Sequence, residues 1–303
     1  MSTNDTPSMH AARQPHPAYR RFVTAQSACM KSLCVVSTVV ILLILAFITF
    51  YLLAKGIRHL SWDIFTKVPI PVGMEGAPGG LKNALVGTCI LIALASVIGV
   101  PLGILAGIYL SEYSTRSWLG TPARFIADVL TGVPSIVVGI LGYELFVVPL
   151  GGFNGYAGAA ALAFIMIPIV ARTTEEMLRL VPNSYRDASI ALGATKARTI
   201  AQIVLPAAGG SIITGIMLAI ARVAGETAPL LFTALGSRLL TLDPSHPFPS
   251  LTVQVFTYAT GPYREEQNLA WAGILILIGI IFALNLLLRF VVYQLQGNRS
   301  SQD

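Results

Sequence analysis

The sequence predicts an all-α polytopic membrane protein with about six transmembrane helices. Three observations carry that prediction. Of 303 residues 54% are hydrophobic, only 11% are charged, and the apolar residues run in long uninterrupted blocks. A soluble domain carries about 25% charged residues, and about twenty apolar residues in a helix cross a hydrocarbon core of about 30 Å. The mean hydropathy of +0.72 therefore reads as one membrane domain in a lipid bilayer rather than two soluble domains.

Residues 1–31 are polar, contain Pro7, Pro15 and Pro17, and show no helical apolar period; they read as a disordered tail. The apolar run from Leu33 to Ala54 is too long for a signal-peptide core and has no small-residue cleavage site after it, so it stays as the first span. Further spans are expected at about 84–110, 125–149, 155–172, 207–235 and 269–293. The membrane domain thus covers 32–293, and 294–303 form a short second tail. Two turn-rich loops, 55–83 and 236–268, suit the membrane surface through Trp62, Phe65 and several prolines and glycines.

Orientation follows from basic residues. With the N-terminus inside, the inner segments hold thirteen Lys and Arg, the outer ones hold Lys55, Arg58, Lys67, Lys82, Arg238 and Arg264, and Arg222 lies within a span. Both termini are then cytoplasmic, in a bacterial plasma membrane. The net charge of +6 is spent on this asymmetry. No basic patch interleaved with aromatics points to nucleic acid.

Cys29, Cys34 and Cys89 are scattered, as are the four histidines, and no metal-ligand spacing occurs. No Walker A loop, HExxH or GxSxG motif is present. The chain is not expected to be an enzyme, and energy for any transport would come from a gradient or a partner.

The longest polar stretch on the inner side is 173–206, TTEEMLRLVPNSYRDASIALGATKARTIAQIVLP. Thr173 to Val181 is helical in pattern and stops at Pro182. Asn183 or Ser184 can cap a short second helix with Asp187 near its positive end. Gly193 permits a tight turn. A further helix from about Thr195 leads to Pro206, where a new helix can start. Ile190, Leu192 and Ile203 make this either a lever that docks into a partner's groove or an ordinary surface hairpin. Periodicity leaves both open.

Arg222 and Glu226 fall inside the fifth span, in ARVAGETAPLLFTA. An ionisable group at mid-bilayer costs roughly 2.5–3.5 kcal/mol on insertion scales and usually serves transport. Four residues apart, the two share a helix face and can pair. They are either a structural pair or an anion site, in which Arg222 offers a planar donor fork and Glu226 accepts a proton-bearing hydroxyl. Pro229 and Gly225 break the helix close by, as tolerated beside a cavity. The third span has a similar small and polar stretch, TGVPSIVVG, suited to close packing or pore lining.

Asp187 to Gly193, DASIALG, continuing to IVLP at Ile203 to Pro206, resembles the EAA loop of ABC importer permeases, with Asp187 for the usual Glu and Ser189 for the usual Ala. GETAPLLFTA (Gly225 to Ala234) and GVPSIVVG are similar to the phosphate-specific transport permeases, PstA rather than its companion PstC. The resemblance runs from about 80 to 293. It implies a type I ABC importer permease fold and a role in ATP-driven import of inorganic phosphate. It implies coupling to the ATPase through Asp187, Ala188, Gly193, Ala194 and Lys196, and a substrate pathway at Arg222, Glu226, Thr227 and Arg172. The implied partners are a PstC-like permease, two PstB-like ATPase subunits that hold ATP and magnesium, and an extracytoplasmic PstS-like phosphate-binding protein. An ABC permease for molybdate or sulfate, a gradient-driven carrier and a membrane enzyme are the competing readings. The second expects inverted repeats, which are not seen. The third is disfavoured because Arg is a poor proton carrier.

Overall fold

The computed structural model of the chain describes residues 17–71, 79–114 and 118–300. Residues 1–54 and 55–303 form two compact units. The first holds most of α1 (Pro17–His59), whose apolar side chains from Leu33 to Leu53 stay largely exposed. Residues 17–31, expected in a disordered tail, are instead the first turns of α1; residues 1–16 lie outside the described residues.

The second unit contains α2 (Lys82–Ile108), α3 (Gly120–Gly132), α4 (Ser135–Gly142), α5 (Gly155–Arg179), α6 (Asn183–Ala191), α7 (Leu205–Ala224), α8 (Ala228–Thr233), α9 (Leu251–Thr260) and α10 (Arg264–Ser300). Among the described residues five helices are long and apolar enough to cross a membrane, or six if a pair bent at a short break is counted as one span. The residues expected as a C-terminal tail continue α10 as far as Ser300.

Three expectations change in detail. The third span is not one helix. It breaks at Val133–Pro134, and its two parts, Gly120–Gly132 and Ser135–Leu150, meet at 104°. Pro134 supplies no N–H and forces Val133 into extended backbone (φ −66, ψ 130). The fourth span runs straight on to Arg179, so Thr173 to Arg179 belong to a membrane helix. The helix expected to start anew at Pro206 is the continuation of Lys196–Thr199 through a π-helical turn at Ile200–Val204, so that Lys196–Ala224 counts as one long helix. Pro206 lies just after that turn, at the head of α7.

The core forms where α5 lies against α2. Gly99, Gly103 and Gly107 recur every four residues along α2 and face Met166, Val170 and Thr174, which recur every four along α5. A Cβ on Gly103 would stand 2.6 Å from the Val170 Cβ, and one on Gly107 would stand 2.5 Å from the Thr174 Cβ. The glycines therefore let the backbones approach as small-residue stripes do in membranes. Leu91, Leu162, Met166, Val223, Leu230 and Phe248 close this core on all sides.

The 236–250 segment is pinned down rather than lying free on the surface. Phe248 is fully buried, Gly155 N–H donates to Pro244 O at 2.7 Å, and Asn83 Nδ2 donates to Ser237 O at 2.7 Å. At its tip the Ser245 N–H donates to Asp243 and holds that carboxyl below its ordinary value.

Candidate functional site

Two helix breaks face each other inside the second unit. α7 carries Arg222 in its last turn and ends at Ala224; the Gly225 and Glu226 N–H groups close that turn onto Arg222 O and Val223 O. The chain restarts as α8, with Pro229 in its first turn, where no N–H is missed. Across from it lies the Val133–Pro134 break. α4 and α8 touch so closely that a Cβ on Gly139 would stand 3.0 Å from the Pro229 Cα. Thr131, Val133, Ser135, Phe164, Arg222 and Glu226 line one narrow cleft between them. Irregular backbone at membrane depth is stable where it faces protein or a cavity, and here both irregular segments face the same one.

Glu226 lies beyond the end of α7, not on a helix face shared with Arg222 as expected; the two share this cleft but hardly bond. The Arg222 Nε lies 4.0 Å from the Glu226 Oε1, with the two side chains 54% and 17% exposed. Thr252 Oγ1 donates to the Glu226 carbonyl at 2.9 Å and fixes the backbone there, leaving the carboxylate to the cleft. Thr227 is half-buried and directly precedes α8.

Arg172 is elsewhere. At the far end of α5 its guanidinium is held by Asp128 at 2.9 Å, Glu175 at 2.9 Å and Glu176 at 3.9 Å. Glu175 is the centre of this cluster. Its carboxylate is 1% exposed and also accepts from Arg124 at 2.8 Å and Arg179 at 2.7 Å. Arg124 reaches further, to Ser114 Oγ and Leu110 O. The cluster ties α2, α3 and α5 together.

The polar loop is a built element. α6 ends in a Schellman turn: the Ala194 N–H bonds Ser189 O, the Gly193 N–H bonds Ile190 O, and Gly193 takes φ +85. Its start differs from expectation, for Asn183 and Ser184 lie within the helix and Pro182 occupies the capping position without a side-chain bond. Ser189, where the EAA pattern has Ala, is buried and bonded to Thr199 Oγ1 at 2.8 Å. Leu192 is 90% exposed, and Asp187, Ala188 and Ile190 are exposed with it.

What fixes the loop comes from residues 74 and 84 positions away and leaves no local sequence signal. Arg186 donates to Glu112 at 2.7 Å, to Leu178 O at 2.9 Å and to Val181 O at 2.6 Å, placing a cation on the carbonyl end of α5. Lys196 donates to the Glu112 carbonyl and sits 4.2 Å over the Tyr113 ring. The end of α2, a π-helical turn at Tyr109–Tyr113, thus grips both arms of the loop. Part of the Glu175 cluster had a signal: Arg172, Glu175, Glu176 and Arg179 follow one another at helical spacing on one face.

The chain has the fold and the sequence of a transport permease. Residues 99–297 match the family described as binding-protein-dependent transport system inner membrane component, and the chain belongs to that family. Within it the chain belongs to the PstA permeases. It is 49% identical to the phosphate transport system permease protein PstA of Yersinia pestis over 82% of this chain and 83% of that one. To the protein of the same name in Haemophilus influenzae it is 43% identical over 86% and 91%. To PstA 1 of Mycobacterium tuberculosis H37Rv it is 39% identical over 84% of each. Among solved structures, an inward-facing MetNI methionine ABC transporter aligns with a TM-score of 0.57 at 17% identity, over 71% of this chain and 94% of that one; the likeness is one of fold.

Proposed function

We propose that this chain is the membrane permease subunit of an ATP-driven importer of inorganic phosphate and itself holds no ATP site. One observation carries the reading: in a chain of the PstA family, two interrupted helices meet around an Arg222 whose carboxylate partner among the described residues stays 4.0 Å away. An always-charged donor fork in a low-dielectric stretch suits an oxyanion in transit. Its loose compensation by Glu226 suits brief binding. Glu226 can accept the proton of hydrogen phosphate, which sulfate lacks at neutral pH, and Thr227 adds a hydroxyl beside it.

The partners follow from what this chain lacks. ATP and magnesium would be bound by two ATPase subunits docked on α6, with Asp187, Ala188 and Leu192 facing them and Gly193, Ala194 and Lys196 shaping the turn. The Arg186–Glu112 bond supports a lever reading of this loop, since a push on α6 reaches α2 directly. A companion permease would complete the pore, and an extracytoplasmic binding protein would deliver phosphate to the face opposite α6. Both termini would be cytoplasmic, in the bacterial inner membrane. Arg172, bound by carboxylates in this structure, would join the pathway only in a conformation that opens its cluster.

The test is ATP-dependent uptake of labelled phosphate into proteoliposomes holding the chain with its companion permease, ATPase and binding protein. Uptake that sulfate does not compete and that Arg222→Ala abolishes, with ATPase docking intact, is the expected result. Normal uptake in the variant would reduce Arg222 and Glu226 to a structural pair. No phosphate uptake in wild type, with molybdate or sulfate carried instead, would assign another oxyanion.

A further inference from the structure

A second polar hollow, of about 190 Å³, lies at the end of the bundle opposite α6. α5 establishes the geometry, because its C-terminal end leads into the α6 loop and its N-terminal end lies beneath the 236–250 segment, where the Gly155 N–H donates to Pro244 O. Ser237, Arg238, Ser250, Gln254, Thr257 and Tyr258 line the hollow. Its floor is held in a costly conformation. Leu235, also at its wall, is the non-glycine residue with a left-handed backbone (φ 61) among those described. Such strain persists where the surroundings impose it, and it clusters at functional sites.

The bonding inside is incomplete. Gln254 Nε2 donates to the Tyr258 hydroxyl at 3.0 Å, yet Gln254 Oε1 has no partner among the described residues, and neither has Ser250 Oγ. Both residues are more than nine-tenths buried, at 8% and 1% exposure. Buried polar atoms are seldom left unpaired, and each exception calls for an explanation. Above them stands Arg238, whose Nη2 donates to Glu266 at 2.9 Å and whose guanidinium lies 5.7 Å from the Tyr258 ring centre. The hollow is therefore lined by a cation from the 236–250 segment and, one turn apart at the start of α9, by a hydroxyl and an unpaired carbonyl oxygen.

We propose that this hollow is a reception site for a protonated tetrahedral oxyanion, the monobasic form of phosphate, ahead of Arg222; it rests on the phosphate-import reading. Arg238 and the Ser250 hydroxyl donate to its oxygens, and its own P–OH donates to Gln254 Oε1. Glu266 holds Arg238 in place when the hollow is empty and disfavours a dianion when it is filled. An oxyanion without a proton leaves Gln254 unsatisfied. The route onward is short, because Thr252, between Ser250 and Gln254 in sequence, bonds the Glu226 carbonyl beside the inner cleft.

The whole reconstituted transporter tests this, with Ser250→Ala, Gln254→Met and Arg238→Gln each matched to wild type in amount of assembled complex. Ser250→Ala is the discriminating variant. Deleting an unpaired buried hydroxyl is neutral or stabilising for a merely structural serine. The proposal expects phosphate uptake to fall about tenfold or more, in line with one lost hydrogen bond to a charged ligand, while the affinity for labelled binding protein stays unchanged. Gln254→Met is expected to narrow the preference for phosphate over sulfate.

Uptake within twofold of wild type in Ser250→Ala and Gln254→Met would overturn the proposal and leave the import reading standing. Loss of binding-protein affinity equal to the loss of uptake would also overturn it, and would assign the hollow to an acidic side chain of that protein. Wild type that imports no phosphate would remove the import reading, and the proposal with it.

Discussion

The Glu175 cluster and the Arg222–Glu226 pair use the same residue types inside one bundle and reach opposite states. Around Glu175, three arginines bond a carboxylate that is 1% exposed, at 2.7 to 2.9 Å. Around Glu226, one arginine stops at 4.0 Å and remains half exposed. Desolvated charge is tolerable when fully paired and hydrogen-bonded, and it then fixes the elements that carry it. A charge paired only in part keeps its capacity for a ligand. By its bonding Glu175 is a brace, and Arg222 is a candidate site, wherever either lies in the sequence.

The largest effect should come from breaking the brace. Glu175→Gln strips the shared acceptor charge from three arginines, and a cost of about 3–5 kcal/mol is expected for removing one partner of a buried pair. Thermal unfolding of the detergent-solubilised complex would show it as lost assembly, whatever the substrate. A complex of unchanged stability would mean that the arginines find other partners.

Arg222→Lys sharpens the other side. It keeps the charge and loses the planar fork, so uptake should fall about 10- to 100-fold, the worth of a hydrogen bond to a charged group. The unfolding temperature should scarcely move, since exposed pairs contribute about 0–1 kcal/mol. A large loss of stability would show that Arg222 is a brace too.

Gly103→Val tests whether the brace depends on how closely α2 and α5 pack. The new side chain has 2.6 Å to the Val170 Cβ, and overpacking should cost about 1–3 kcal/mol. Val170→Ala in the same chain should recover part of it. The smallest effect is at the loop. Gly193→Ala places a Cβ on a left-handed residue and should cost about 1 kcal/mol. Its readout is weaker stimulation of the ATPase by the loaded binding protein, with Arg222 undisturbed.

Several of these features were legible along the chain. The DASIALG stretch with its glycine turn was, because a Schellman turn is made by neighbours in sequence. The helix break near Gly225 was readable from Gly and Pro, although Pro229 proves to open the next helix instead of bending the first. The four-residue glycine repeat of α2 stood in the sequence as well; its counterpart on α5 did not announce itself, since Met166, Val170 and Thr174 differ in chemistry. The 104° bend at Val133 was hidden in an apolar block whose length suggested a straight span.

By itself, the sequence determined the class of molecule: blocks of apolar residues long enough to cross lipid, a polar loop with a recognisable turn, and an arginine and a glutamate beside a helix break. These are properties of composition and of contacts within about one helical turn, which a linear pattern encodes. Tertiary structure decided how the charge clusters are completed. Arg124 meets Glu175 across 51 positions and Arg186 meets Glu112 across 74. Such meetings depend on how helices cross, which small-residue packing sets and no local period records. Tertiary structure thus left Arg222 under-bonded in its cleft while it locked Arg172 among carboxylates.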